Sequence, residues 1–214
     1  ELRTPLSLMQ VQLDLYNSGK HPGNDEDTIQ TIKMVTEQNE RFSKMVKTLL
    51  DMSELQTVGR DETIIVNALI DEVLADLEPL AQQKNIKLTG KCKDVNMVGS
   101  DILIYRLVYN LVENAIKYNH SGGQVSVEAY QREKQVYLSV KDTGNGIPEE
   151  LKERVFEPFF RVDKSRSREL GGVGLGLALV NEIVRVHDGS IAIRPNPSGG
   201  TIIEVEFAVN RTTA

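Results

Sequence analysis

With 214 residues, the chain is longer than one compact core needs, so it fits one large domain or two modest ones. Apolar residues at 40% and charged residues at 26% are ordinary for a globular protein, and a formal charge of −6 argues against a general nucleic-acid binder, which presents a basic face. One cysteine, Cys92, excludes an intrachain disulfide framework and gives no metal-site spacing; no signal peptide is expected, and there is no run of about 18 apolar residues, so any membrane attachment is expected outside this chain.

Leu2, Leu6, Met9 and Leu13 recur at helical spacing, and the pattern stops at YNSGKHPGND, where Asn17, Ser18, Gly19, Pro22, Gly23 and Asn24 supply turn chemistry. Asp25 or Asp27 is placed to cap a second helix, whose apolar stripe runs Ile29, Ile32, Val35, Phe42, Met45, Val46, Leu49 and Met52. Two helices with one stripe each do not close a core. Residues 1–57 are therefore predicted to form an all-α hairpin that pairs with a second copy, giving a homodimeric four-helix bundle.

Residues 56–62, QTVGRDE, read as a short hinge without apolar periodicity, and the composition changes after it. Residues 58–214 are predicted to be a second domain, an α/β layer structure with a mixed sheet. Its elements are a β-branched run at 63–66, a helix marked by Leu69, Val73, Leu77 and Leu80, and an extended piece near Met97. A helix over 100–118 follows, then alternating strands at 125–127 and 136–140 joined by a polar turn at 132–134. The last helix is predicted over 174–186 with Gly189 as its left-handed cap, before strands at 191–193 and 202–207 joined by RPNPSGGT.

Four stretches of the second domain carry chemistry. In NLVENAIKYN, Asn110 and Asn114 are four apart and share a helix face, where their amide oxygens suit a hard cation such as Mg²⁺. Lys117 lies one turn beyond Asn114 as a point charge for phosphate, and Tyr118 offers a ring face to a base; solvated amides on a surface helix are the alternative. In DTGNGIP, Asp142 ends a strand where a carboxylate accepts from an exocyclic amine, and Gly144 and Gly146 permit positive φ and a close ligand; an ordinary turn leading to Pro148 is the alternative. In FEPFFRVDKSRSRELGGVGLGLA, Phe156, Phe159 and Phe160 precede Arg161, Lys164, Arg166 and Arg168, and a glycine run then opens a helix, a natural anion site under a basic lid. Neither a dinucleotide glycine pattern nor a P-loop fits the spacing. SGGT places Thr201 at the head of the terminal strand. His21, His120 and His187 have no ligand-spaced partner and read as structural or solvated.

Taken in order, ELRTPL, NLVENAIKY, DTGNGIP, FEPFFR and GVGLGLA resemble the sensor histidine kinases of two-component systems, over nearly the whole chain. The resemblance implies that residues 1–57 are the dimerisation and histidine-phosphotransfer hairpin and residues 58–214 the ATP-binding domain of the GHKL superfamily, the Bergerat fold. It implies ATP and Mg²⁺ as ligands, with Asn114 the main Mg²⁺ ligand and Asn110 orienting water or metal. Lys117 and Arg161 would hold phosphates, Tyr118 would stack on adenine and Asp142 would select it. Gly144, Gly146, Gly172, Gly174 and Gly176, with Leu175 and Thr201, would shape the pocket and lid. Hydrolysing members of the superfamily carry a glutamate where Asn110 stands, so the amide implies phosphate transfer in place of hydrolysis.

The same resemblance places a phosphoacceptor histidine immediately before Glu1. Glu1 would take the imidazole proton, Thr4 would position a water for dephosphorylating a response regulator, and Pro5 would kink the helix. The sequence starts at Glu1, so a chain boundary falling there is expected, with a modified histidine or a protein without an acceptor as alternatives. The implied partners are a second copy of the chain and a response-regulator receiver domain. The implied location is the cytoplasmic part of a membrane-anchored parent.

Overall fold

The computed structural model describes residues 3–17, 25–162 and 173–209. Glu1 and Leu2, the turn at 18–24 with His21, the basic stretch with Lys164, Arg166 and Arg168, and glycines 171 and 172 lie outside the described residues. So do the side chains of Pro5, Asp25 and Asp27, and with them the kink and cap assigned to those residues.

Helices α1 (Arg3–Asn17) and α2 (Asp25–Glu54) pack along each other as the predicted hairpin. Leu6, Leu8, Val11, Leu13 and Leu15 of α1 stay exposed, as do Ile29, Ile32 and Met34 of α2. The stripe at the far end of α2 faces the other way. Leu55 is buried in the core of the following domain, and Met52 and Val58 pack against it. The predicted hinge thus starts from an anchored end, where the Arg60 guanidinium donates to the Leu55 carbonyl at 3.0 Å.

β1 (Glu62–Ile65) pairs antiparallel with β3 (Asn96–Gly99). The main sheet runs β2 (Lys87–Cys92), β4 (Gln124–Arg132), β5 (Gln135–Asp142), β7 (Thr201–Ala208), β6 (Ser190–Pro195). Only β2–β4 is parallel, so the sheet is mixed, as expected. Side chains alternate across a strand. Val125, Val127 and Ala129, Leu138 and Val140, and Val205 and Phe207 are buried on one face. The other face is polar, with Lys141 paired to Glu128 at 2.6 Å and Tyr130 stacked on Tyr137 at 5.1 Å between centroids.

Helices α3 (Val66–Gln83), α4 (Asp101–Lys117) and α5 (Gly176–Val186) form the second layer. Leu69, Val73 and Leu77 of α3 are buried, as the periodicity predicts, and α4 buries Leu103, Ile104, Leu107, Val108 and Leu111 against the same core. Among the described residues no helix is long and apolar enough to cross a membrane.

Three local expectations are corrected. The last helix starts at Gly176, because Gly174 sits at φ 78° outside it. Val66 opens α3 and leaves the strand, its N–H donating to the Val95 carbonyl at 2.9 Å. The left-handed residue closing α5 is Asp188 (φ 55°), not Gly189. The N–H groups of Asp188 and Gly189 reach back to the Arg185 and Val184 carbonyls at 3.1 and 2.9 Å, a Schellman cap. Gly189 is needed for space, since a Cβ there would lie 2.7 Å from the Glu206 carbonyl oxygen.

His187 closes the same helix and is buried. Its Nε2 accepts the Ser100 N–H at 3.1 Å and its Nδ1 lies 2.9 Å from the Ile183 carbonyl oxygen, which fixes the proton on Nδ1. The ring therefore ties the end of α5 to the start of α4. His120 is exposed. Both described histidines are structural or solvated, as the sequence suggests.

Candidate functional site

Helix α4 has two faces. The apolar one forms the core; the other carries Asn110, Glu113, Asn114 and Lys117 at the three- and four-residue spacing that brings side chains together. The Asn110 Nδ2 donates to the Arg106 carbonyl at 2.7 Å, which commits the amide's donor side and leaves Oδ1 toward Gly176. Lys117 pairs with Glu113 at 2.7 Å, and burial pulls its ammonium below the ordinary lysine range, against the raising effect of Glu113. The Lys84 ammonium caps the Lys117 carbonyl at 2.8 Å and so helps end the helix.

Asp142 ends β5, as expected, and is held from behind. Gly144 N–H donates to its Oδ1 at 2.7 Å, and the Asn196 amide donates to its carbonyl at 2.7 Å. Burial pushes its carboxyl above the ordinary aspartate range, and the Gly144 and Thr201 N–H donors pull the other way. Of the two glycines in DTGNGIP, only Gly146 has positive φ, at 72°. Gly144 is required by a close approach: a Cβ there would fall 2.5 Å from the Tyr118 carbonyl oxygen.

The phenylalanine cluster and the glycine run meet. Phe159 N–H donates to the Gly174 carbonyl at 2.8 Å, and a Cβ at residue 174 would lie 2.7 Å from the Phe160 carbonyl oxygen. The two ends of the basic stretch are thereby pinned together, as the phenylalanines suggest.

One cavity of about 380 Å³ joins these parts. Its lining includes Asn110, Asn114, Lys117, Tyr118, Asp142, Gly146, Arg161, Gly174, Leu175, Gly176 and Thr201 from the sequence-predicted set. Gly144 sits behind the wall, outside the lining, and Gly172 and Glu1 lie outside the described residues. Thr4 is exposed on α1 and is not part of the cavity. Leu111, Ala115, Val140, Ile147 and Ile203 give the cavity an apolar side that suits a planar base, while the α4 amides and Lys117 offer polar groups for an anion and its cation.

Glu113, Lys44 and Thr48 are among the lining residues that were not singled out from sequence. Glu113 stood inside NLVENAIKYN and was recognisable by its i, i+4 spacing to Lys117. Lys44 and Thr48 belong to α2, and only the docking of the hairpin on α4 brings them in. No local signal carried that.

Residues 99–211, from the end of β3 past β7, match the family of histidine kinase-, DNA gyrase B- and HSP90-like ATPases. The chain belongs to this family. Over 94% of its length it is 34% identical to the sensor-like histidine kinase SenX3 of Mycolicibacterium smegmatis, covering 53% of that protein. The histidine kinase AdeS of Acinetobacter baumannii has the same fold, with a TM-score of 0.79 over 99% of this chain and 98% of that one, at 24% identity. The histidine kinase ThkA, in complex with the response regulator protein TrrA, gives a TM-score of 0.76 at 26% identity, over 98% of this chain and 59% of that one. The chain thus spans about half the length of the curated relatives it matches. Within the family it sides with the sensor histidine kinases, as its ordered motifs imply.

Proposed function

We propose that this chain is the dimerising and ATP-binding core of a sensor histidine kinase. It binds Mg²⁺-ATP in the cavity, and in the intact protein the γ-phosphate passes to a histidine immediately before Glu1. From there it passes to an aspartate of a response-regulator receiver domain. Adenine lies against the apolar side with Asp142 accepting from its amine, and Tyr118 covers it. Lys117 and Arg161 hold phosphates.

Asn110 and Asn114 would hold the cation, since hard cations take oxygen ligands and Asn110 already turns its Oδ1 away from its own helix. When bound, Mg²⁺ offsets phosphate charge. The observation that carries transfer over hydrolysis is the amide at 110 together with the state of its neighbour. An amide does not act as a general base, and Glu113 is engaged by Lys117 at 2.7 Å and Lys44 at 3.5 Å.

The exposed leucines of α1 and the exposed Ile29 and Ile32 of α2 support a second copy as the hairpin's partner, completing a four-helix bundle. Thr4, exposed on α1, serves the reverse dephosphorylation of the regulator. The intact protein is proposed to be membrane-anchored, with this core on the cytoplasmic side.

Titration calorimetry tests the site. ATP with Mg²⁺ is expected to bind, and Asn114→Ala and Asp142→Ala are each expected to abolish binding. Unchanged ATP affinity in either variant removes the site assignment.

A further inference from the structure

Helix α2 is fastened to α4 by two ion pairs. Lys44 meets Glu113 at 3.5 Å, and Asp51 meets Arg106 at 3.0 Å. Seven residues forward along α2 match seven residues back along α4, so both pairs belong to one antiparallel register. Of the α2 residues in these pairs, Lys44 lines the cavity and Asp51 does not; Thr48, one turn on from Lys44, lines it as well.

At the Lys44 end the charges do not balance. Glu113 is one carboxylate serving two ammonium groups, those of Lys44 and Lys117. Burial lowers the Lys117 ammonium most, Glu113 raises it and Lys44 lowers it again by less, so the three groups feel one another. Among the described residues of this cluster, one positive charge is left over at the α4 wall that carries Asn110 and Asn114. The Lys44 side chain is 53% exposed, so its ammonium is free to swing from the carboxylate rim toward an anion in the cavity.

We propose that Lys44 is a phosphate-binding residue of the nucleotide site, so that the hairpin and the α/β domain hold a nucleoside triphosphate jointly. This rests on the assignment of the cavity to ATP and adds a residue from outside the ATP-binding domain. A triphosphate supplies the negative charge that Glu113 alone does not, drawing α2 onto α4. Adenosine supplies none. Nucleotide charge is thereby coupled to the docking of the hairpin.

The test is titration calorimetry of the whole chain with ATP, ADP and adenosine. Lys44→Ala is expected to weaken ATP about 3- to 10-fold, ADP less and adenosine not at all, with the effect shrinking as salt is raised. Lys47→Ala, which removes an exposed charge from the same helix without touching the cavity, leaves all three unchanged. Asp51→Ala loosens the other ion pair and with it the docking of α2, so it is expected to weaken ATP, by less than Lys44→Ala does, and adenosine not at all. An ATP affinity insensitive to Lys44→Ala, or an equal loss for ATP and adenosine, overturns the inference while leaving the site assignment standing. No ATP binding by the unsubstituted chain overturns both.

Discussion

Gly176 stands against Asn110: a Cβ at residue 176 would lie 3.0 Å from the Asn110 Oδ1, and 3.5 Å from the Asn114 Nδ2. The first residue of α5 therefore closes directly on the two amides of α4, and any side chain there must push one of them. Gly176→Ala is expected to weaken Mg²⁺-ATP binding about tenfold, equivalent to about 1.4 kcal/mol. The same change replaces a helical glycine by the best helix former, which favours the fold by up to about 1 kcal/mol. Affinity should fall with an unchanged or raised Tm. A full-strength ATP site in this variant would show that the contact does not matter.

Asp142 gives the site a pH dependence with two signs. Burial raises its carboxyl above the ordinary aspartate value. Between those two values the folded chain holds a proton that the unfolded chain has released, so stability from this group falls as pH rises through that window. Adenine recognition runs the opposite way, because the ionised carboxylate is the better acceptor. ATP affinity is expected to fall as pH drops through the raised value, and Asp142→Asn should flatten both profiles. Melting and calorimetric titrations between about pH 4 and 7 measure them, and profiles identical in the two proteins would count against Asp142 as the reader of adenine.

His187 holds the two helices that carry the site. It is 3% exposed, bonds Ser100 and Ile183, and meets Phe207 edge-on at 5.9 Å between centroids. His187→Ala removes the ring and leaves the Ser100 N–H without its partner, so a loss of about 2–4 kcal/mol in urea unfolding is expected. Near-native stability would show that the link between α4 and α5 lies elsewhere.

Most of this architecture was legible locally. The period of Leu69, Val73 and Leu77 marked α3, and the alternation of Val136 to Val140 marked β5, because each element buries one face. The cavity was legible because its α4 and β5 walls come from short contiguous motifs. What escaped was non-local. The left-handed position is Asp188, and the glycine beside it answers to tertiary crowding by Glu206 and Phe207, which no local turn pattern shows. Lys44 and Thr48 reached the cavity through a register between α2 and α4 that no periodicity records.

The central claim is that this cavity prepares a phosphate for transfer to a histidine and not to water. The direct measurement is incubation with γ-labelled ATP, with and without a separate hairpin carrying the histidine before the ELRTPL segment, following both labelled protein and released phosphate. The account predicts label on the added hairpin, lost with Asn114→Ala, and little or no phosphate release in its absence. Steady release without the hairpin, abolished by substituting Asn110 and with no label on protein, would contradict it.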